Sequence, residues 1–285
     1  MINYVKRKHI DEQKYNTCIE KSLQSRVYAY TWYLDVVADN WDALVLDDYQ
    51  AVMPMPWKRK CFIKYICQPY FTQQLGVFSL KKMSLNTIDD FIKKIPKTFI
   101  KVRLQLNSEN TCNSANVESR NNYILPLNNE YGELLKGFSS IRKRTLKKNR
   151  SFNLILNQKV APDVFLDFIL KVPLHYKLNR DQITVLKKIV LSGKIDYKIW
   201  GAEYDKKMVA LVLWVFDNKR ITYLFPINTN IAKKIGASSF LINALIKQYA
   251  NSNYILDFEG SMISSIAYFF KSFGSEKETY LYLKQ

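Results

Sequence analysis

The chain has 285 residues, 48% of them hydrophobic and 14% aromatic, which is enough to fill the core of one large domain or two ordinary ones. Its 43 lysines and arginines stand against 25 acidic residues, a formal charge of +18, so we expect an anionic partner. No apolar run reaches the ~18 residues of a membrane span, and the polar start resembles no secretory signal, so we expect a soluble, cytoplasmic protein.

Cysteine and histidine usage argues against metal chemistry. The four cysteines are scattered, at Cys18, Cys61, Cys67 and Cys112. They form no C-x-x-C pair, so we expect no metal site. His9 and His175 are the only histidines, and no surrounding pattern supports a nucleophilic Cys–His pair that uses His175.

The first half of the chain alternates helix and strand signals. The predicted elements are a helix over Asp11–Ser22, a turn and helix over Val27–Val37, strands over Ala43–Leu46, Ala51–Met55 and Phe62–Cys67, a helix over Asn86–Lys94, and strands over Thr98–Leu106 and Tyr123–Leu127. The intervening stretch Asn107–Asn122 is polar and predicts a loop.

A change of pattern at Glu130 opens the second half. Leu134, Phe138 and Ile141 have helical spacing, so one amphipathic helix is predicted there. The later predicted elements are a strand over Asn153–Leu156, helices over Asp163–Val172 and Gln182–Ser192, strands over Tyr197–Glu203, Met208–Phe216 and Arg220–Pro226, a helix over Ser238–Ala250, a strand over Tyr254–Phe258, a helix over Ser264–Ser272 and a strand over Glu278–Leu283.

The two halves echo one another. A shift of 157 positions places Asp48, Val52, Trp57 and Pro69 on Asp205, Val209, Trp214 and Pro226. Each set marks a turn, two strands and a strand end in the same order. Leu75-Gly76 then parallels Ile235-Gly236. Four identities are a weak alignment, but the matched order of elements favours a duplication of an α/β domain.

Two segments of the second half have residue types suited to chemistry. Lys233–Ser239 (KKIGASS) follows a strand and opens a helix, where small residues and free N–H groups favour a phosphate. Taken alone, that segment is better explained by an ordinary loop with a serine N-cap, because one glycine is a weak signal. Asp257 and Glu259 alternate around Phe258, so they are expected on one face of a strand, where one could accept a proton. The plainer interpretation of Asp257 is a turn cap or a partner of a lysine.

These segments together resemble a known family. The string Asp257–Ser261 (DFEGS), followed by a helix ending Phe269–Gly274 (FFKSFG), resembles the C-terminal signature of FemAB-like acyltransferases, tandem-domain members of the GNAT (N-acetyltransferase) superfamily. In the acyl-donor loop pattern Q/R-x-x-G-x-G/A, Lys233 stands for the first residue, Gly236 matches, and Ser238 replaces the last small residue. The resemblance covers about Tyr123–Gln285, and the first half mainly through the echo.

The resemblance implies an α/β fold of two tandem GNAT-like domains, each a mixed twisted sheet flanked by helices. We expect residues 1–130 to form the acceptor side and residues 131–285 the donor side. The donor would lie where Arg220–Pro226 and Tyr254–Phe258 splay apart. The implied donor contacts are Lys233, Lys234, Gly236, Ala237, Ser238 and Pro226, and the implied catalytic residues are Asp257, Glu259 and Lys271.

One departure from the family concerns the general acid. Many GNAT enzymes place a tyrosine immediately before the lysine of the last helix, and this chain has Phe270 there. Tyr268 lies about 200° away around the helix and is a poor substitute. Either water or Lys271 would then serve the leaving group, or activity is reduced. Lys271 can also be no more than a favourable cation at a helix end.

A basic run supplies much of the charge. Six cations occupy nine residues, namely Arg142, Lys143, Arg144, Lys147, Lys148 and Arg150. A solvated helix face is the usual reading of such a run. Phosphates of coenzyme A, of tRNA or of a nucleotide-linked acceptor would also suit it. For the acceptor we expect contacts from Tyr28, Tyr30, Trp32, Gln68, Tyr70 and Gln73, although the aromatic residues are equally suited to the core.

The sequence therefore predicts an N-acyltransferase that moves an acyl or aminoacyl group from acyl-CoA, or alternatively from aminoacyl-tRNA, to an amine acceptor such as a cell-envelope or glycan precursor. A catalytically silent GNAT-like module that binds tRNA or another anionic ligand is the alternative, suggested by Phe270 and the charge. A DNA-binding regulator is disfavoured, because no helix-turn-helix or zinc spacing is present.

Overall fold

The computed structural model describes residues 1–113, 116–173 and 178–285, so His175 lies outside the described residues. The chain divides into a first unit, residues 1–121 and 278–285, and a second unit, residues 122–277. The domain division at residues 130 and 131, and its acceptor and donor sides, stay predictions.

Helices and strands alternate along the described chain. The first part contains β1 (Ile2–Lys6), α1 (Glu12–Lys21), α2 (Thr31–Val37), β2 (Asn40–Leu46), β3 (Ala51–Lys60), β4 (Ile63–Cys67), β5 (Phe78–Ser79), α3 (Leu85–Lys93) and β6 (Phe99–Gln105). The second part contains β7 (Val117–Pro126), α4 (Tyr131–Lys136), α5 (Ser140–Asn149), β8 (Ile155–Asn157), α6 (Pro162–Lys171), α7 (Arg180–Leu191), β9 (Tyr197–Tyr204), β10 (Lys207–Phe216), β11 (Arg220–Asn228), α8 (Asn230–Ile235), α9 (Ala237–Tyr249), β12 (Ile255–Asp257), α10 (Ser264–Lys271) and β13 (Glu276–Lys284).

Each unit contains a mixed sheet with the same strand order. In the first unit β1, β2, β3 and β4 are antiparallel neighbours, β6 is parallel to β4, and β13 is antiparallel to β6. In the second unit β8, β9, β10 and β11 are antiparallel, β12 is parallel to β11, and β7 is antiparallel to β12. The predicted mixed α/β class is confirmed, and the matched topology agrees with the echo between the halves.

Helix α9 shows how the second unit is held together. Leu241, Ile242, Leu245 and Ile246 repeat along one face of α9 and are fully buried in a core that includes Trp200 and Trp214. Burial of each such side chain contributes about 1.5–3 kcal/mol, so these four together stabilise the position of α9 by roughly 6–12 kcal/mol. The buried face of α9 therefore fixes the position of the segment that begins at Gly236.

The predicted single helix after Glu130 is wrong in one respect. The chain forms two helices, because α4 ends at Gly137 and Ser139 starts α5 as its N-cap. The Ser139 hydroxyl accepts from Arg142 N at 3.2 Å, and Ser139 N donates to Ser272 O at 2.9 Å. This second bond directs the backbone of Ser139 away from the helical pattern.

The sequence prediction misses three elements, strands β1 and β5 and helix α8. It also starts one strand too late, because β7 begins at Val117, inside the stretch predicted as a loop. The first part of β7 buries little and therefore lacks an apolar signal. Polar contacts support it: Lys284 pairs with Glu118, and the Arg120 guanidinium lies 4.1 Å from the centre of the Tyr282 ring. Among the described residues, no helix combines the length and hydropathy that a membrane crossing requires.

Candidate functional site

The parallel strands β11 and β12 separate soon after they pair. Their register covers only Arg220–Thr222 against Ile255–Asp257. Strand β12 ends there, while β11 runs on to Asn228 and stays paired with β10 on its other edge. Among the residues that the structure describes, the edge of β11 beyond Thr222 therefore has no strand partner on this side, and we call the space beside it the gap between β11 and β12. Ligands commonly bind beyond the carboxyl ends of strands in open α/β sheets.

Pro226 lies on the part of β11 that faces this gap. It pairs with Val212 in the β10 register and is half-buried. Proline has no N–H to donate to a neighbouring strand, so it suits a strand whose partner has diverged. Its predicted donor contact stays a prediction.

The segment predicted as the donor loop is two helices joined by one residue. Lys233 and Lys234 are exposed on α8, and Gly236, with φ of +72°, ends α8 and starts α9. A Cβ atom on Gly236 would lie 2.7 Å from Thr145 Cγ2. Only glycine combines this left-handed backbone with such close packing of α5. The expected open loop is thus a tight turn beneath α5.

Hydrogen bonds anchor this turn on both sides. Asn149 Nδ2 donates to Ile235 O, and the Ser238 hydroxyl donates to Asn228 Oδ1 at 2.7 Å. The second bond ties the start of α9 to the end of β11, so the first turn of α9 lies beside the gap. Ala237 is fully buried just after the turn.

The equivalent turn of the first unit is closed by side chains of its own. Gly76 has φ of +88°, and Asn110 Oδ1 accepts from the following Val77 N at 2.7 Å. Asn107 and Asn110 both donate to Val77 O, at 2.9 and 3.0 Å. In the described part of the chain, no side chain accepts from Ala237 N–H in the second unit. Side-chain bonds to the residue after the glycine therefore close the first turn, and the second turn is closed by packing against α5.

The structure gives Asp257 a structural role. This carboxylate is buried, and Arg220 Nη1 lies 3.0 Å from its Oδ2. Its Oδ1 accepts from Asn122 Nδ2 at 3.0 Å and from Glu259 N at 2.9 Å. Both oxygens are engaged, so the expected proton acceptor instead joins β11, β7 and the Glu259 turn. The bond from Glu259 N is the turn cap of the plainer interpretation, and the ion-pair partner is an arginine where that interpretation offered a lysine.

Glu259 does not share a strand face with Asp257. Strand β12 ends at Asp257, and Glu259 has φ of +57°, so the chain turns and the alternation stops. The prediction of one face is therefore wrong. The half-buried Glu259 follows directly after the end of β12, beside the gap, and its catalytic role stays a prediction.

An aromatic cluster occupies the position of the missing tyrosine. Phe270 is buried and stacks on Phe258 with ring centres 4.9 Å apart. The tyrosines that pack on it are Tyr123 and Tyr223, at 6.3 and 6.1 Å. Tyr223 follows Thr222, the last residue of β11 that pairs with β12, and no sequence signal distinguished it from other core aromatics. Lys271 is exposed, with Nζ 5.7 Å from the Tyr123 ring centre.

Arg142 differs from the rest of the basic run. It is only 7% exposed, and burial lowers the pKa of its guanidinium to about 10. Its Nε donates to Ser272 Oγ at 2.9 Å and its Nη1 to Ser239 Oγ, while its centre lies 4.4 and 4.5 Å from the rings of Phe269 and Phe273. The expectation that Arg142 faces a phosphate is corrected: it ties α5 to α9 and α10. The other five cations, Lys143, Arg144, Lys147, Lys148 and Arg150, are exposed.

The residues predicted for the acceptor lie in the first unit, and several are structural. Tyr28 and Tyr30 are buried, and Tyr30 stacks on the half-buried Trp32 at 5.0 Å. The Gln68 amide donates to Thr72 O at 3.0 Å and accepts from Gln105 N at 3.1 Å. Both polar ends of the Gln68 side chain are therefore hydrogen-bonded to the backbone, and these bonds hold the segment after β4 in place.

Two further acceptor candidates are still partly exposed to solvent. Tyr70 is half-buried beneath Lys58, whose Nζ lies 5.7 Å from the ring centre, and Gln73 accepts from Gln74 Nε2 at 2.8 Å. Within the described residues, no three histidine, cysteine or acidic side chains are grouped as a metal site would require.

Comparisons with known proteins identify the fold. No protein-family model and no curated protein matches the sequence. FemX is similar in structure over 99% of this chain and 97% of its own, with a TM-score of 0.68 and 11% identity. A tandem GNAT protein from the clavulanic acid biosynthesis pathway matches over 100% and 98%, with a TM-score of 0.55 and 8% identity. L-PGS from Bacillus licheniformis matches over 96% and 91%, with a TM-score of 0.53 and 9% identity.

These similarities extend over nearly the full length of each chain. The protein therefore has the tandem GNAT-like fold of FemX, as the resemblance in its second half implied. At identities of 11% and below, the similarity concerns the fold, and the activity has to be argued from the site.

Proposed function

We propose that the protein is an acyltransferase whose second unit binds an acyl-CoA donor in the gap between β11 and β12. The observation that carries this proposal is the end of pairing between the two parallel strands at Thr222 and Asp257, with the Gly236 turn tied to the end of β11. Backbone N–H groups at a helix start, together with the helix dipole, favour the pyrophosphate of such a donor. The nearby lysines of α8 add positive charge.

The chemistry requires little covalent help from the protein. The acceptor amine attacks the thioester carbonyl, a C–N bond forms, and the C–S bond breaks as the thiolate leaves. The amine gives its proton to water, and the thiolate takes one from water or from Lys271, which regains a proton from solvent. Glu259 would orient the amine, and Asp257 positions Glu259 by accepting from its N–H. Backbone donors that stabilise the carbonyl oxygen would supply the main catalytic effect.

Two observations favour the second unit and acyl-CoA. Asn110 closes the equivalent turn of the first unit, whereas no side chain among the described residues accepts from Ala237 N–H in the second. The tandem GNAT structure with the same fold is described as lacking AcCoA, which points to that ligand for that protein. Aminoacyl-tRNA as donor, with a cell-envelope or glycan precursor as the amine acceptor, fits the same geometry and the same charge.

A second candidate is a catalytically silent module that binds tRNA or another anion. Phe270 favours this candidate, because it places a buried hydrocarbon ring where many GNAT enzymes have an acid. The two candidates differ in whether they require a thioester donor. The acyl-CoA enzyme requires one, and the silent module does not.

Calorimetry with acetyl-CoA and with tRNA tests the proposal. Lys233→Glu with Lys234→Glu should weaken acetyl-CoA binding about tenfold or more, because two cations near the pyrophosphate are reversed. Lys206→Glu with Lys207→Glu is the matched control, an exposed neighbouring pair on the β9–β10 turn of the same unit. tRNA binding without any affinity for acetyl-CoA would overturn the acyl-CoA enzyme and favour the module or the aminoacyl-tRNA donor.

A further inference from the structure

The turn between β3 and β4 in the first unit carries exposed apolar side chains. We call residues 59–64, which comprise this turn and the strand ends beside it, the hairpin tip. Lys60 pairs with Ile63, so Cys61 and Phe62 alone form the turn. Phe62 is 90% exposed and Ile63 is 48% exposed. The two side chains are neighbours in the chain, so together they form an apolar surface that the core of the unit does not use.

The turn is made of residues that a tight hairpin does not favour. Cys61 has φ of +52°, a left-handed conformation that two-residue hairpin turns normally give to glycine, asparagine or aspartate. Those residues would form the turn at lower cost and would keep its surface polar. The chain has cysteine and phenylalanine there instead. The needs of the hairpin therefore do not explain the exposed ring of Phe62, which indicates a contact outside the chain.

Cations surround the apolar side chains of the hairpin tip. Residues 57–64 (WKRKCFIK) contain four cations and no acidic residue. Arg59 and Lys60 are exposed, and the Arg59 guanidinium lies 5.8 Å from the centre of the Phe62 ring. Among the described residues, neither of them nor Lys64 forms an ion pair with a carboxylate. Their charge is therefore available to an anionic partner.

The adjoining strand β6 extends this combination of residues. Ile100 is 66% exposed and follows Phe99, the residue that pairs with Lys64 of β4. Lys97 and Lys101, which precede and follow Ile100 in the sequence, are exposed as well. Apolar side chains within a group of lysines and arginines are typical of surfaces that bind anionic membranes, because the apolar groups enter the interface while the cations reach the headgroups.

We infer that the hairpin tip docks the protein on the surface of an anionic lipid bilayer. Phe62 and Ile63 enter the region between headgroups and acyl chains, and the cations of the tip contact lipid phosphates. The aliphatic Ile63 and Ile100 offer no ring on which a base could stack, so a nucleic acid fits this surface less well. A second copy of the chain would bring like charges together. The hairpin tip contains none of the residues of the proposed donor site.

Sedimentation with lipid vesicles tests this docking. The protein should bind vesicles of equal parts phosphatidylglycerol and phosphatidylcholine about tenfold or more tightly than vesicles of phosphatidylcholine alone, because the anionic headgroups attract the cations. Phe62→Ser with Ile63→Ser should weaken binding to the mixed vesicles about tenfold or more, since less apolar surface leaves water. Arg59→Glu with Lys60→Glu should weaken it by about the same factor. Equal affinity for the two kinds of vesicle would overturn the proposal.

Matched control variants lie in the same unit. Lys81→Glu with Lys82→Glu makes the same change of charge at an exposed pair, and Leu23→Ser removes an apolar side chain that is 65% exposed. Each control should change vesicle binding less than about threefold, because charges far from the contact are screened and the apolar surface of the hairpin tip is kept. An equal loss in the lysine control would mean that the overall charge of the protein drives binding, and the proposal would be wrong.

Insertion of the hairpin tip and the nature of its partner are measured separately. Phe62→Trp should bind the mixed vesicles as the wild type does, and lipids with brominated acyl chains should quench its fluorescence more strongly than that of the wild type. Equal quenching would contradict insertion. Binding of tRNA that is lost in Phe62→Ser with Ile63→Ser, by a protein that does not bind vesicles, would assign the tip to nucleic acid instead. The hairpin variants should keep the wild-type affinity for acetyl-CoA, so failure of the proposed function is seen separately.

Discussion

Gly236→Ala is expected to destabilise the second unit strongly, because two independent costs meet at one residue. The backbone has φ of +72°, a left-handed conformation that costs an L-residue about 1–2 kcal/mol. The new Cβ would also lie 2.7 Å from Thr145 Cγ2, and overpacking of this kind costs about 1–3 kcal/mol. The expected loss in the free energy of unfolding is therefore about 2–5 kcal/mol.

A second substitution separates the two costs. Thr145→Ser removes Cγ2, the atom that meets the new methyl, and keeps the hydroxyl that donates to Ile141 O at 3.0 Å. In that background the closest remaining neighbour of the new methyl is Asn149 Nδ2 at 3.2 Å, so Gly236→Ala should cost mainly the backbone share, about 1–2 kcal/mol, and the cycle should show about 1–3 kcal/mol of coupling. Urea unfolding followed by tryptophan fluorescence measures each variant, since Trp200 and Trp214 lie in the core of the second unit.

Gly132→Ala controls for the substitution itself. Gly132 lies in α4, and a Cβ there would meet nothing within 4 Å. This change should be neutral or stabilise by up to about 1 kcal/mol. The same cost for Gly236→Ala with threonine or serine at 145 would refute the steric argument. A cost no larger than that of Gly132→Ala would refute the need for glycine altogether.

Three further predictions concern buried polar groups. Asp257→Asn should lower the free energy of unfolding by about 3–5 kcal/mol, because Arg220 is left as a buried charge, and addition of Arg220→Met should recover part of it in urea unfolding. Arg142→Lys should cost about 1–3 kcal/mol by the same assay, since an ammonium cannot reproduce the planar stacking and two directed bonds. Burial raises the pKa of the Cys18 thiol to about 12, so at pH 8 iodoacetamide should modify the exposed Cys61 first and Cys18 only after unfolding, as peptide mass analysis would show.

Local sequence patterns were sufficient to predict most of the secondary structure. The strands of the β9–β11 meander and helix α9 were predicted within a few residues, because their apolar periodicity is strong and their partners are near in sequence. Helix α8 was missed because its six residues are too short for a periodic signal. The break at Ser139 was missed because it depends on a bond to Ser272, far along the chain.

The roles of site residues could be predicted less well. Asp257 and Glu259 look equivalent in a strand pattern. In the structure, however, the Asp257 carboxylate accepts a hydrogen bond from Asn122, which lies 135 residues earlier in the sequence. Arg142 looks like its five cationic neighbours, yet its helix turns it inward between two phenylalanine rings. Gly76 and Gly236 correspond in the echo, yet Asn110 closes only the turn at Gly76.

Composition, periodicity and the internal echo by themselves determined a basic, duplicated α/β chain and placed its chemistry-bearing residues near the second turn. The tertiary structure alone decided which of those residues are available. Hydrogen bonds and ion pairs that occupy a donor or acceptor join side chains far apart in sequence, so no local spacing records them. The clustering of positive charge has the same origin. Lys143 and Lys147 of α5 line one cavity together with Lys247 of α9, a residue that is far from them in sequence.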